Sequence, residues 1–156
     1  MTIFSVGTRD FIYDIIRKEG TFMKLYEITQ QDRELITAAL KPLENDYGDK
    51  SHYHIVGAAL RTKKGNVYIG VNCDGIHGSC AEFIAMGAAK VQGENEFDTI
   101  VAVHKGAKNF VVSPCGNCRQ TLFEYDPNVK VIVNNDEGEL IKVSIRDLLP
   151  FAYVEI

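Results

Sequence analysis

A chain of 156 residues, 46% hydrophobic and 24% charged, is long enough for one domain with a real core and too short for two. Its net charge of −4 argues against a nucleic-acid surface, because neutralising phosphates needs clustered Lys and Arg, and Lys63-Lys64 is an isolated pair on a solvated turn. No apolar run approaches the roughly 20 residues of a membrane span, and the N-terminus lacks a signal peptide's basic start and apolar block.

Residues 1–22 read as an extension ahead of a body at 23–156. Phe11, Ile12, Ile15 and Ile16 lie at helical spacing, and Arg17-Lys18-Glu19-Gly20 reads as a helix end. That helix is expected to pack on the body or on a neighbour, since Asp10 and Asp14 weaken any case for a membrane surface. In the body, Leu35, Ile36, Ala39, Leu40 and Leu43 repeat at helical spacing behind a capping box formed by Thr29 and Asp32. Residues 55–62 and 66–72 are apolar and β-branched, joined by the turn-like Lys63-Lys64-Gly65-Asn66, and predict a hairpin. Residues 80–92 predict a helix burying Phe83, Ile84, Gly87, Ala88 and Val91 along one stripe. A strand follows at 99–104, a helix at 115–125, strands at 129–133 and 140–143, and a short helix capped by Ser144. Strands alternating with helices imply an α/β sheet covered on both faces, with ligands held at helix N-termini beside strand ends.

The chemistry lies in a split motif, Cys80-Ala81-Glu82 and Pro114-Cys115-Gly116-Asn117-Cys118. A catalytic zinc takes three protein ligands and leaves a fourth position for water, and Cys80, Cys115 and Cys118 supply three thiolates. Two residues between Cys115 and Cys118 place both sulfurs on one helical face. Glu82, two residues past Cys80, is directed away from the metal and toward the water, the arrangement of zinc nucleobase deaminases. Three thiolates on a divalent ion leave a net charge of minus one. Arg119 and the helix N-termini at Cys80 and Cys115 are the available compensators. A thioredoxin-like redox pair is the competing reading of Cys115 and Cys118, but it gives no reason for Cys-Ala-Glu. A purely structural zinc would need a fourth ligand, with Cys73 or His77 the nearest candidates. Free thiols that bind metal suit a reducing, cytoplasmic setting.

The chain resembles the cytidine deaminases and, within that superfamily, also the blasticidin S deaminases. The resemblance is carried by Val56-Gly57-Ala58-Ala59-Leu60, Gly70-Val71-Asn72, Cys80-Ala81-Glu82, Ser113-Pro114-Cys115-Gly116-Asn117-Cys118-Arg119-Gln120 and Leu148-Leu149-Pro150-Phe151-Ala152-Tyr153, in family order over nearly the whole chain. It implies a three-layer α/β/α sandwich around a mixed five-stranded sheet, one zinc per chain, and hydrolytic loss of an exocyclic amine from a free cytosine-type nucleoside. Glu82 would act there as both base and acid. The resemblance further implies ribose contacts from Asn72 and Asp74; the lesser alternative is that the pair merely shapes a loop before Gly75. It puts Ala81 and His54 at the base pocket. It also implies a homotetramer in which Tyr153 covers a neighbour's site or simply joins an interface. Phe83 stands where nucleoside-specific members often carry Arg, and the loop between Asn72 and Cys80 is short, as in blasticidin S deaminase. Cytidine or deoxycytidine is the leading substrate, a blasticidin-type aminonucleoside the second, and a non-catalytic zinc-stabilised binding protein the competitor from another class. Editing of a polynucleotide is disfavoured by the acidic balance. Cys73, His77 and His104 carry no assigned role beyond loop and strand-end positions.

Overall fold

The computed structural model describes residues 23–45, 53–106 and 110–154, so the expected helix in 1–22 lies outside the described residues. Helix α1 (Gln30–Leu40) begins where the capping box was expected: the Thr29 hydroxyl accepts from the Asp32 N–H while the Asp32 carboxylate accepts from the Thr29 N–H. A 3-10 turn, Lys41–Glu44, follows. Strands β1 (Val56–Thr62) and β2 (Val67–Val71) form the hairpin, in register from Gly57 against Val71 to Arg61 against Val67. Then come α2 (Ala81–Val91), β3 (Phe97–His104), β4 (Val111–Val112), α3 (Gly116–Tyr125), β5 (Lys130–Asn134), β6 (Leu140–Ser144) and α4 (Ile145–Leu148), the last capped by the Ser144 hydroxyl.

The strand order is β2-β1-β3-β5-β6, with β4 paired to β3 off that path. Among the described residues only β3 and β5 run parallel; the other pairs are antiparallel. The sheet therefore has six strands, the five expected plus β4. Two residues are too few to display a strand's period of two. Their effect is local and direct, because β4 occupies the part of β3's edge beyond its pairing with β5 and leads straight into Cys115.

Three layers result. Leu35 and Ala39 of α1, with Leu43, cover Ala59, Val101, Val103 and Ile132 on one face. Ala81, Ala85, Met86 and Ala89 of α2, Leu122 of α3 and Ile145 of α4 cover Ala58, Leu60, Ile100, Ala102, Val131 and Val143 on the other. Each large aliphatic side chain buried this way contributes about 1.5–3 kcal/mol. Cover on both faces is why β1 and β3 read as continuous apolar runs rather than alternating ones.

The buried face of α2 differs from expectation. Ala81, Glu82, Ala85, Met86 and Ala89 face inward, whereas Gly87 and Ile84 are exposed and Val91 is 82% exposed. Helical periodicity identifies a helix but does not say which apolar face meets the sheet; here the face carrying Ala81, Ala85, Met86 and Ala89 does. Glycines complete that fit. A Cβ at Gly57 would lie 2.0 Å from the Ala39 carbonyl oxygen on the α1 side, and one at Gly70 would lie 2.2 Å from the Ala81 carbonyl oxygen on the α2 side.

At the end of β1 away from Val56, a network of charges joins five elements. The Arg61 guanidinium donates to Asp32 at 2.8 Å and to Asp98 at 2.6 Å, Lys142 donates to Asp32, and Lys130 donates to Asp98 at 3.2 Å. Burial alone would raise the Asp32 carboxyl; hydrogen bonds from Lys142, the Thr29 N–H, Arg61 and the Thr29 hydroxyl outweigh it and bring it from 3.8 to about 2. A depressed native pKa means stability that is fully present above about pH 4 and is lost as the pH falls through about 2. Asp32→Ala should cost about 3–5 kcal/mol, because it strands the buried Lys142 ammonium. Urea unfolding measured from pH 6 to 2 will show this acid loss in the parent chain and not in Asp32→Asn.

Candidate metal centre and active site

Two helices begin at one place. Cys80 is the N-cap of α2 and Cys115 the N-cap of α3, both with extended backbone and neither using its side chain to cap, so both sulfurs remain available. Cys118, on the first turn of α3, is buried. The three sulfurs lie within 4.8 Å of one another, with Cys80 to Cys115 at 3.7 Å and Cys115 to Cys118 at 3.6 Å. A tetrahedral ion with Zn–S bonds of about 2.3 Å requires sulfurs about 3.8 Å apart. The donor set and its spacing therefore fit zinc. Among the described residues the group holds three ligands, and neither Cys73 nor His77 joins it as the fourth that a closed structural site would need.

The electrostatics of the three thiols differ. Burial works to raise Cys115, but the Cys118 and Asn117 N–H groups at the start of α3, together with the neighbouring sulfurs, bring it below its ordinary value. Cys118 is held well above its ordinary value by burial and by the Glu82 and Cys80 charges. Cys80 is raised as well, chiefly by burial. Glu82 sits in the first turn of α2 and is only 5% exposed, and burial pushes its carboxyl up.

A cavity of about 530 Å³ opens here. Cys80, Ala81, Glu82 and Cys115 line it, together with Asn72 and Phe83. Val56, Val112, Ser113 and Asn117 complete much of the wall; none of these four was given a site role from the sequence, although Val56, Ser113 and Asn117 lie in the blocks that carry the resemblance. Ser113 and Asn117 lie inside the Cys115 block, so their neighbourhood to the ligands was the available signal; Val112 belongs to β4, which had none.

Other expected residues are placed differently. Asn72 reaches the cavity wall, yet its Oδ1 accepts from the Ile55 and Val56 N–H groups, both at 2.9 Å, and its Nδ2 donates to the Tyr53 carbonyl. Asp74 accepts from the Tyr53 and Gly75 N–H groups, and the His54 ring Nδ1 meets the Asn72 carbonyl at 2.7 Å. Asn72 and Asp74 thus fasten the strand leading into β1, and neither Asp74 nor His54 lines the cavity. Arg119 donates through Nε to the Pro114 carbonyl and through Nη1 to the Leu148 carbonyl, stapling the approach to Cys115 onto α4. Tyr153 is 69% exposed and outside the cavity wall; its backbone is held by the Gln120 amide through two hydrogen bonds.

The family model for the cytidine and deoxycytidylate deaminase zinc-binding region matches residues 29–134. A blasticidin-S deaminase from Bacillus cereus is 39% identical over 140 residues, covering 84% of this chain and 98% of that protein. A cytidine deaminase from Halalkalibacterium halodurans is 35% identical over 127 residues, covering 78% and 94%. Among solved structures, the cytidine deaminase from Burkholderia pseudomallei matches with a TM-score of 0.64 at 35% identity, covering 78% of this chain and 98% of that one. The cytidine deaminase from Mycobacterium tuberculosis gives 0.65 at 25% identity, covering 79% and 97%. With the zinc-compatible sulfurs in place and the family model spanning most of the body, the chain belongs to the cytidine and deoxycytidylate deaminase family of zinc-dependent hydrolytic deaminases, which act on carbon–nitrogen bonds.

Proposed function

We propose that this enzyme deaminates a free cytosine-type nucleoside, cytidine or deoxycytidine, to the uracil nucleoside and ammonia, with Glu82 as its proton carrier. The observation that carries this reading is a buried carboxyl, two residues from Cys80, lining the same cavity as Cys80 and Cys115. Zinc held by Cys80, Cys115 and Cys118 supplies a Lewis acid that lowers the pKa of a water to near 7. Glu82 takes a proton from the attacking water as its oxygen adds to the amine-bearing ring carbon, and delivers that proton to the ring nitrogen. It then moves the second water proton to the amine, the carbon–nitrogen bond breaks and ammonia leaves. One carboxyl serves both directions, and burial raises it above its ordinary value. Backbone N–H groups at the start of α3 offset the thiolate charge nearest Cys115, and Arg119 adds its charge from the Pro114 carbonyl. Ala81 shapes the floor beside Glu82, while Asn72 supports the sugar end from the wall.

A second reading has its own support. Asn72 and Asp74 hold the backbone of Tyr53, Ile55 and Val56, and Phe83 rather than a cation follows Glu82 at the cavity. A pocket less committed to ribose hydroxyls suits a blasticidin-type aminonucleoside. On either reading the enzyme works in the cytoplasm as a homotetramer of bodies formed by residues 23–156, and on the first it serves pyrimidine salvage. Tyr153, with its exposed neighbours Phe151 and Val154, reaches toward a neighbouring copy, and His54 backs the base pocket from behind Asn72.

Two experiments test this. Glu82→Gln should keep about one zinc per chain by metal analysis while kcat falls by about two to four orders of magnitude; near-normal turnover would refute the proton-carrier role. Ammonia release from cytidine, deoxycytidine, cytosine, blasticidin S and guanine should be fastest with the two nucleosides, whereas turnover confined to blasticidin S selects the second reading. Silence on every cytosine compound removes the substrate assignment.

A further inference from the structure

Both glycines that seat helices on this sheet are required by space rather than by backbone conformation, since neither Gly57 nor Gly70 has a positive φ. Their surroundings nonetheless differ in kind. At Gly57 the obstructing atom is the carbonyl oxygen of Ala39, near the C-terminal end of α1, a helix that contributes nothing to the cavity. At Gly70 the obstructing atoms are the Ala81 carbonyl oxygen at 2.2 Å, the Ala85 nitrogen at 2.6 Å and the Ile84 Cβ at 3.0 Å. Ala81 lies between the ligand Cys80 and the carboxyl-bearing Glu82. Its carbonyl and the Ala85 N–H are an i to i+4 pair of the helix ladder, one residue beyond the Cys80 carbonyl and Ile84 N–H that close the first turn.

We infer that Gly70 is a positioning residue for the deamination site: the absence of a side chain there sets how deeply the first turn of α2 sits on β2, and so places Cys80 and Glu82 against Cys115 and Cys118. The sulfurs of Cys115 and Cys118 ride on a different helix, α3, so any movement of α2 becomes an error in the relation between the two halves of the site. The two closest obstructing atoms are backbone, with no flexible side-chain end to swing aside, so the turn must move as a body by about 1 Å. A misplacement of that size costs about 10²-fold in rate even when the chemistry's own groups are intact. The inference rests on the proposed role of Glu82 and on zinc at the three sulfurs.

The paired variants Gly70→Ala and Gly57→Ala separate positioning from stability, because each inserts one methyl group against backbone on opposite faces of the same sheet. Both should lower the melting temperature. Gly70→Ala should lower kcat by about 10²-fold with KM within about threefold and zinc near one per chain, whereas Gly57→Ala should keep kcat within about threefold at 25 °C. A second readout is independent of any substrate: with cobalt(II) in place of zinc, the visible absorption of the thiolate site should change in Gly70→Ala and match the parent chain in Gly57→Ala. If the parent deaminates no cytosine nucleoside, the proposed function fails while the cobalt spectra still decide this inference. Equal loss of kcat in both variants, an unchanged cobalt spectrum in Gly70→Ala, or a Gly70→Ala chain that does not fold would each overturn it, the last because the glycine would then serve the fold as a whole.

Discussion

Three thiolates around one divalent ion would carry more negative charge than the ion neutralises, and the arrangement of this fold relieves that excess. It does so by starting two helices at one point. Cys80 caps α2 and Cys115 caps α3, so the positive ends of both helices face the sulfurs. Neither cysteine uses its side chain as a cap, which leaves the sulfurs to the metal and the free N–H groups to the charge. The sheet exists, from the site's point of view, to bring those two starts together. The edge of β3 carries β4, and β4 ends shortly before Cys115, with Pro114 buried between. The first turn of α2 is pressed onto β2 from above.

Charge is handled differently at the other end of β1. There Asp32, Arg61, Asp98, Lys130 and Lys142 pair into a network with acids and bases nearly balanced, spanning α1, β1, β3, β5 and β6. None of these five residues lines the cavity. At one end of the sheet the charges are thus paired within the protein, although Arg61 Nη1 is buried without a partner, and the other end is left with a demand that a cation meets. Buried polar networks that are fully paired rigidify their surroundings, whereas unbalanced ones mark places where chemistry happens.

Much of this was legible in the residues because the signals are local. The Thr29 and Asp32 box, the Lys63-Lys64-Gly65-Asn66 turn and the Ser144 cap depend on neighbours in the chain, and each forms as expected. The ligand cysteines were legible because thiolate spacing in a helix is a geometric requirement of the ion. The features that escaped depend on contacts distant in sequence. The inward face of α2 packs against Gly70, which sits on another element, well before Ala81 in the chain. Arg119 finds the Pro114 and Leu148 carbonyls, the second far along the chain, and Asn72 finds the backbone of residues 53–56 at the start of the hairpin. Polar side chains in a motif advertise a function, but a nearer backbone partner can take the hydrogen bond first. Strand β4 escaped for a simpler reason, since two residues carry no period.

The short loop between β2 and α2 is closed at its base by reciprocal backbone hydrogen bonds, Cys73 N–H to the Ser79 carbonyl at 2.9 Å and Ser79 N–H to the Cys73 carbonyl at 2.7 Å. Its tip, Ile76, is 99% exposed. A loop fastened at its neck is mechanically separate from the helix beyond it, so Cys80 keeps its place whatever the tip contains. Each doubling of such a loop costs only about 0.6 kcal/mol in closure entropy. The exposed tip at Ile76 and His77, between Asp74, which holds the Tyr53 N–H, and Gly78, which lines the cavity, is therefore the part of the pocket mouth whose side chains can change with least effect on where the ligand set stands.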